Sequence, residues 1–176
     1  FHEGRAAVKS GTKLGFIDST GALVIEARLA NVSDFSDGRA LAVEEDAPNQ
    51  ADDEREDAIG LIRFLNTRIG FISPDGEWVI PPRLSACSGV FREGVAPVAD
   101  APEKRATLED GTRPVYYMDT EGNRLWGREF TWALPFLNGL ARARAGDEVF
   151  VLNRQGKTVL ALPCPDVVGF DLSVAI

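Results

Sequence analysis

A six-residue pattern, Phe-x-x-Gly-x-Ala, recurs along the chain and limits what it can fold into. It stands at Phe1…Gly4…Ala6, Phe35…Gly38…Ala40, Phe91…Gly94…Ala96 and Phe136…Gly139…Ala141. A fifth copy, Phe170…Ser173…Ala175, has serine in place of the glycine. Self-similarity of this kind marks a repeat architecture, in which each short unit buries its apolar face only against a neighbour. A second landmark follows each of the first four copies. It is a turn glycine: Gly21 in Asp18-Ser19-Thr20-Gly21, Gly76 in Ser73-Pro74-Asp75-Gly76, Gly122 in Asp119-Thr120-Glu121-Gly122 and Gly156 in Asn153-Arg154-Gln155-Gly156. From turn glycine to the next phenylalanine the spacing is 14, 15, 14 and 14 residues, whereas from phenylalanine to turn glycine it is 20, 41, 31 and 20. Segments of fixed length are packed and those that vary are loops. Insertions are therefore expected at about 45–66 and 100–112.

Each unit reads as three short strands. The first follows the pattern glycine: Arg5–Lys9, Arg39–Glu44, Val95–Ala99 and Leu140–Ala145. The second precedes the turn glycine: Leu14–Asp18, Ile69–Ser73, Val115–Asp119 and Glu148–Asn153. The third follows it: Ala22–Glu26, Glu77–Pro81, Asn123–Trp126 and Lys157–Ala161. Pro81, Pro82, Pro163 and Pro165 are expected to end pairing, because proline has no N–H to give a ladder. No segment shows the period of an amphipathic helix. The expectation is an all-β chain of tandem three-stranded antiparallel units, four in number plus one extra C-terminal strand, wound as a propeller-like arc or a β-solenoid. The whole of 1–176 reads as one domain, with units at about 1–34, 35–90, 91–135 and 136–169 and a terminal strand at 170–176.

Aligning the chain's own copies sorts its apolar residues. Val24, Val79, Leu125 and Val159 share one column, and Ile25, Ile80, Trp126 and Leu160 the next. Both columns are always apolar and are expected in the core, which makes Trp126 a packing residue. The column before them holds Leu23, Trp78, Arg124 and Thr158 and drifts in polarity, so Trp78 reads as surface-facing. Trp132 reads the same way, since its counterparts are Asn31, Cys87 and Asp166. Exposed tryptophans are candidate contact residues. The repeated alanine implies a close approach on the first strand, and the repeated glycine a positive φ or a tight contact.

Charge narrows the partners. The net charge is −8, and residues 44–57 hold eight acids (Glu44, Glu45, Asp46, Asp52, Asp53, Glu54, Glu56, Asp57) against one base, Arg55. The acidity is one local patch, suited to a basic protein and not to nucleic acid, whose phosphates need clustered Lys and Arg. The stretch lacks the Asp-x-Asp-x-Asp-Gly spacing of a calcium loop. No apolar run reaches the ~20 residues of a membrane-spanning helix. Cys87 and Cys164 form no metal-ligand spacing, and a disulfide between them is left open. With His2 the single histidine, Ser-His-Asp and Cys-His catalysis are not expected. A carboxylate-pair hydrolase is the residual enzyme reading. No cofactor or metal is expected.

The residues at this point resemble a known family. Leu14-Gly15-Phe16-Ile17-Asp18-Ser19-Thr20-Gly21-Ala22-Leu23-Val24-Ile25 is similar to the bacterial WG repeat, also called the KWG repeat. Ile69-Gly70-Phe71-Ile72-Ser73-Pro74-Asp75-Gly76-Glu77-Trp78-Val79-Ile80-Pro81-Pro82 resembles it more closely. The Phe-x-x-Gly-x-Ala pattern resembles the family's link into the next unit. The family's Trp-Gly pair is Leu14-Gly15 and Ile69-Gly70 here, and in the third and fourth units its glycine is Tyr116 and Phe150, which implies a different second-strand geometry there. The resemblance implies a β-rich array used for binding, in bacterial surface, secreted or toxin-associated proteins, with no catalytic residues to carry over.

The functional expectation is a non-catalytic module that binds another protein, as an adaptor or a toxin-neutralising (immunity) protein, with Trp78, Trp132 and the 44–57 acids at the contact. The alternative is a glycan- or cell-wall-binding module that stacks sugars on Trp78, Trp132 and Tyr117. The chain begins at Phe1 without Met and so reads as a processed form or an excised fragment. Its compartment stays open between cytoplasmic and secreted or periplasmic.

Overall fold

A computed structural model describes residues 1–44, 68–85, 90–101 and 113–163. Among them are twelve strands and no helix. The first unit holds β1 (Arg5–Ser10), β2 (Lys13–Asp18) and β3 (Leu23–Val32), and the second β4 (Ala40–Glu44), β5 (Arg68–Ile72) and β6 (Trp78–Ser85). The third holds β7 (Val95–Asp100), β8 (Tyr116–Asp119) and β9 (Trp132–Ala133), and the fourth β10 (Leu140–Ala145), β11 (Glu148–Asn153) and β12 (Thr158–Pro163). Strands β1 to β8 form one antiparallel sheet in chain order, and a second sheet runs β12-β11-β10-β9. The chain is thus an open, all-β antiparallel repeat. Residues 45–67, which contain the expected first insertion, lie outside the described residues, as do 86–89, 102–112 and 164–176. Both cysteines and the fifth pattern copy therefore lie there too.

The third strand does two jobs. One part of β3 pairs with β2 through Leu14↔Leu29, Phe16↔Ile25 and Ile17↔Leu23. Its far part pairs with β4 through Leu29↔Glu44, Asn31↔Val43 and Val32↔Ala42. β6 likewise serves β5 and β7. The strands consequently run well past the expected ends at Glu26 and Pro81. Pro81 and Pro82 do not stop β6. They sit between the pairs Phe71↔Ile80 and Ile69↔Leu84, where β6 spends extra residues against β5. A bulge needs no N–H from the residues it leaves unpaired, and proline is tolerated there.

The bulge explains Gly15 and Gly70. A Cβ built on Gly70 would lie 2.4 Å from the Ile80 carbonyl oxygen and 2.9 Å from the Pro81 carbonyl carbon. One on Gly15 would lie 2.3 Å from the Ile25 carbonyl oxygen. No side chain fits where the bulged third strand crosses the second. In the third unit Tyr116 takes that place, and the expected strand Asn123–Trp126 does not form. A single bridge, Met118↔Arg124, is followed by a turn with both Trp126 (φ 58°) and Gly127 (φ 61°) left-handed. The departure falls on the third strand, not the second. In the fourth unit Phe150 is accommodated opposite Ala161: the register shift beside the crossing position is absent, and only the one at Val151/Leu152, the counterpart of Phe16/Ile17 and Phe71/Ile72, remains.

The buried side chains fall into three clusters, and each belongs to two units. Phe16, Ile25 and Leu29 of the first unit pack with Phe35, Ala40, Ala42 and Ile72 of the second. Ile69, Phe71, Ile80 and Leu84 pack with Phe91, Ala96, Val98, Tyr116 and Met118. Val115, Tyr117, Phe130 and Ala133 pack with Phe136, Ala141, Ala143 and Leu152. The pattern phenylalanine is the plug: its ring meets a second-strand aromatic edge-on, with centroids 4.9 Å apart for Phe35 on Phe16 and 4.7 Å for Phe91 on Phe71. Phe136 meets Tyr117 at 5.5 Å. The column Ile25/Ile80 is core as expected. The column Val24, Val79, Leu125, Val159 is not: Val79 and Leu125 are half-buried, and Val24 and Val159 are exposed. Adjacent residues on a strand point to opposite faces, and only one face meets the seam.

Polar hooks fix the register of each joint. The pattern Phe-x-x-Gly is a tight hairpin with both central residues left-handed: Glu3 and Gly4, Asp37 and Gly38, Glu93 and Gly94, Asn138 and Gly139. That is the geometry of a type I′ turn. The glycine N–H of each turn then donates to the acid of the preceding one: Gly38 to Glu3 at 2.8 Å, Gly94 to Asp37 at 2.8 Å, Gly139 to Glu93 at 3.1 Å. Arg5 donates to the Pro74 carbonyl (3.1 Å) and Arg39 to that of Thr120 (2.8 Å). Where the third unit has Val95 in place of arginine, Arg154 of the fourth reaches back to Glu93 at 3.1 Å. Each turn glycine after Gly21 also receives an apolar knob. A Cβ on Gly76 or Gly122 would lie 3.1 Å from Ile25 or Ile80, and one on Gly156 would lie 2.3 Å from Trp126.

Two outcomes follow from this geometry. Gly70→Ala should destabilise the fold by about 2–4 kcal/mol, since a backbone carbonyl cannot give way as a side-chain end can. Urea unfolding measures it, and wild-type stability in the variant would show that the strands do not cross that closely. The second outcome concerns pH. The Glu93 carboxyl is held below its ordinary value, first by the Gly139 N–H and also by Arg154. A carboxylate depressed in the folded state adds stability above its unfolded pKa, near 4.5, and that contribution fades as pH falls through the lower folded value. Glu93→Gln should therefore lower the melting temperature at neutral pH and converge with wild type in acid. Melting curves that stay parallel through the acid range would refute the hook.

Candidate functional site

Every described core is shared between two units, and the first and fourth units each have a side that joins no other described unit. The exposures bear this out. Phe35, Phe91 and Phe136 are 1–3 % exposed, whereas Phe1 is 70 % exposed. Ile72, Met118 and Leu152 are fully buried, and their counterpart Ile17 is only half-buried. Gly21 has open space where the other turn glycines carry a knob. At the far end, Leu160 occupies the knob column and is 47 % exposed, against 3 % and 1 % for Ile25 and Ile80. Val151 stands where Phe16, Phe71 and Tyr117 receive a plug, and it is half-buried. Among the described residues the exposed large apolar side chains are Phe1, Leu23 and Val24 in the first unit and Leu137, Leu140, Val159, Leu160 and Leu162 in the fourth. None lies in the second or third unit. The edge strands β1 and β12 border the same two faces.

The two faces differ in polar character. The first offers the Gly4 N–H, which no carboxylate meets among the described residues. The last offers Asn138 where the earlier units have Glu3, Asp37 and Glu93, and Leu140 where the first two have Arg5 and Arg39 and the third has Val95. Hooks that are ionic inside the array are thus an amide and an alkyl chain at its end.

The residues singled out from sequence are placed as follows. Tyr117 is fully buried, packed against Trp126, Phe130 and Phe136, and its hydroxyl donates to the Leu134 carbonyl at 2.8 Å. It offers no stacking face, and burial pushes its phenol pKa up. The position was readable, because Tyr117 stands five residues before its turn glycine, as do the core residues Phe16 and Phe71. Trp78 is half-buried and not simply surface-facing. It packs on the cluster of the first two units, with its ring edge over Gly70. Trp132 is half-buried on β9, paired across from Arg144. Trp126 packs between Tyr117, Phe136 and Gly156. Glu44 closes β4, and Glu45, Asp46, Asp52, Asp53, Glu54, Glu56 and Asp57 lie outside the described residues. The hook acids Glu3, Asp37 and Glu93 were missed, although an acid or amide before the pattern glycine recurs in four copies.

The charged groups at the second joint serve packing. The Tyr116 hydroxyl donates to Asp100 at 2.8 Å, and burial, helped by that carboxylate, raises its pKa to about 12. Arg124 lies 4.4 Å above its ring, and Arg83 stands 3.7 Å from Asp100. A phenol held neutral in this way is a tether and a poor proton carrier at neutral pH. His2 stands 3.4 Å from Asp34 at the exposed end of the first unit. Among the described residues no three His, Cys, Asp or Glu side chains are grouped so as to hold a metal ion. No described helix is long and apolar enough to cross a membrane.

Comparison with protein families matches the family described as WG containing repeat at residues 15–46 and 69–99. No curated protein matches the sequence. Both matched segments begin in the second strand of one unit and run into or through the first strand of the next, so each spans a plug and the strand pairing between two units. The joint left unmatched is the one in which Tyr116 replaces the crossing glycine. The chain is a β-repeat protein, and its residues 15–46 and 69–99 match the WG containing repeat.

Proposed function

We propose that this chain is a non-catalytic module that binds another protein through its apolar end faces, with the acidic stretch 44–57 biasing the choice toward basic surfaces. The observation that carries the reading is the confinement of exposed large apolar side chains to the first and last units. Large apolar side chains left in water and gathered in one part of a chain mark an interaction site. The net charge of residues 44–57 would act at longer range, on encounter and selectivity more than on final affinity. An adaptor or a toxin-neutralising role falls within this reading. The non-catalytic part rests on the sequence, whose single histidine leaves no nucleophile–base pair of the usual kind. A glycan-binding reading has less support once Tyr117 is in the core, and it keeps only the half-buried Trp78 and Trp132.

The test starts from proteins captured by the native chain from its source, identified and then titrated by calorimetry. Three variants are compared with wild type: Leu160→Glu with Leu162→Glu, Leu23→Glu alone, and a chain lacking residues 46–56. One of the end variants should lose about tenfold or more in affinity, as expected when a charge enters the centre of an apolar contact. The deletion should flatten the salt dependence for a basic partner. Affinity and salt dependence unchanged in all three would overturn the proposal.

A further inference from the structure

We infer that Asn138-Gly139 is a site of spontaneous modification, and that the Glu93 hook of the third joint holds it unreacted. It is the one Asn-Gly pair in the sequence. The first three pattern turns carry Glu3, Asp37 and Glu93 before their glycine, and the fourth carries an amide. The chemistry needs only water. The Gly139 backbone nitrogen attacks the side-chain carbonyl carbon of Asn138 and closes a succinimide ring. The side-chain nitrogen of Asn138 leaves as ammonia, taking up the proton that the glycine nitrogen sheds. Water then adds to one of the two ring carbonyls and opens the ring to aspartate or isoaspartate. The net change is ammonia lost, water gained and one negative charge added.

The surroundings favour this reaction here and nowhere else among the described asparagines. Asn138 is exposed, so water reaches its side chain. Gly139 has no side chain to shield its nitrogen, and a Cβ built on it would meet no described atom within 4 Å. Asn31, Asn123 and Asn153 are followed by Val32, Arg124 and Arg154, whose side chains screen the nitrogen that would attack.

The same turn shows what holds the pair intact. Asn138 and Gly139 are both left-handed, at φ 53° and 79°. The Gly139 N–H donates to both Glu93 oxygens, at 3.2 and 3.1 Å, and the Asn138 N–H meets the same carboxylate. Arg154 grips that carboxylate in turn at 3.1 Å. Attack requires the glycine nitrogen to lose its proton and develop negative charge. Here the proton sits in a hydrogen bond to a charged acceptor, and charge on the nitrogen would face that of Glu93. The Glu93 carboxyl, kept below its ordinary pKa by these bonds, is too weak a base to take the proton itself. Reaction therefore waits until the turn releases Glu93. Asp37-Gly38 could cyclise by losing water, but it is held twice: Gly38 donates to Glu3, and the Asp37 carboxylate accepts from Gly94, each at 2.8 Å. Opening at Asn138 is one-way once it reacts. Isoaspartate adds a carbon to the backbone between residues 138 and 139, and the Gly139 N–H no longer meets Glu93 from the same turn.

The test is incubation of the 176-residue chain at neutral pH and physiological temperature, followed by peptide mass mapping. Asn31, Asn123 and Asn153 serve as internal references, and a free peptide of residues 134–143 shows the rate of an open turn. Asn138 should be lost more slowly in the wild-type chain than in the peptide. Glu93→Ala should speed the loss about tenfold, as removal of a charged hydrogen bond allows. Arg154→Ala loosens the same hook more gently and should fall between the two. Circular dichroism checks that each variant is folded, and the comparison rests on Arg154→Ala if Glu93→Ala is not. The isoaspartate form, separated by ion exchange, should melt below the unreacted chain. Loss in wild type as fast as in the peptide, or equally slow in wild type and the folded variants, overturns the inference. So does slower loss in the variants, which would make Glu93 the base that drives the reaction. An isoaspartate form that melts with the unreacted chain also overturns it.

Discussion

The structure depends on the fact that no unit completes its own core. A single repeat cannot bury its apolar face by itself. Here the second and third units each supply half of two cores, and the first and fourth supply half of one among the described residues. Phe35, Phe91 and Phe136 are the hinge of this sharing, because each belongs to one unit and fills a hole in another. An edge-to-face aromatic pair contributes about 0.5–1.5 kcal/mol beyond the area it buries. The third joint gains more such contacts, with Tyr117 touching Trp126, Phe130 and Phe136. That joint has lost its regular third strand, and aromatic packing stands in for the missing ladder. The spacing constraint has the same origin. The stretch from turn glycine to next phenylalanine runs from knob to plug of a single joint, so its length cannot drift.

Glycine serves three separate needs in this arrangement. The pattern glycines and the acids before them share a left-handed turn that leaves the glycine N–H pointing to the neighbouring unit. Gly76, Gly122 and Gly156 combine a positive φ with the absence of a Cβ beneath the knob. Gly15 and Gly70 have ordinary backbone angles and are required only because another strand's carbonyl occupies the space. The last kind can be lost if the crossing is rebuilt, and the third and fourth units show two ways of doing so. Tyr116 dissolves the third strand into a turn. Phe150 keeps the strand and loses the register shift beside the crossing, while the next one along, at Val151/Leu152, stays.

Much of this was legible in the sequence. The spacing of Phe35, Gly76 and their counterparts placed the turn at each turn glycine and eleven of the twelve described strands. The errors have physical causes. Val24 and Ile25 are equally apolar, and a column comparison ranks them together, but neighbours on a strand face opposite ways and only Ile25 meets the seam. Pro81 and Pro82 signal the end of pairing in a regular ladder, and here they mark the bend through which β6 continues. The third strand at Asn123–Trp126 keeps its apolar residues, so its pattern survives while its backbone does not. What defeats it is Tyr116, and the effect of a residue on an opposing strand is invisible to local pattern. The hooks were missed for another reason. Glu3, Asp37 and Glu93 look like ordinary surface acids, and only the turn geometry shows that a free N–H waits in the next unit.

The division between apolar and polar parts of the joint bears on what its ends can do. Exposed ion pairs and hooks contribute little net energy, with a median of about 0–1 kcal/mol. Their use in this fold is register: Glu3 and Asp37 reach one N–H each, and a slipped neighbour would miss it. The plugs and knobs supply the adhesion. At the fourth unit the adhesive parts remain exposed in Leu160 and Leu162 while the register parts are replaced by Asn138 and Leu140. Such a face still attracts apolar surface but imposes less geometry on it. The first unit keeps Glu3 for its own neighbour and offers outward only a plug and an N–H. Adhesion and register are thus carried by different residues, and a unit can keep the first while it loses the second.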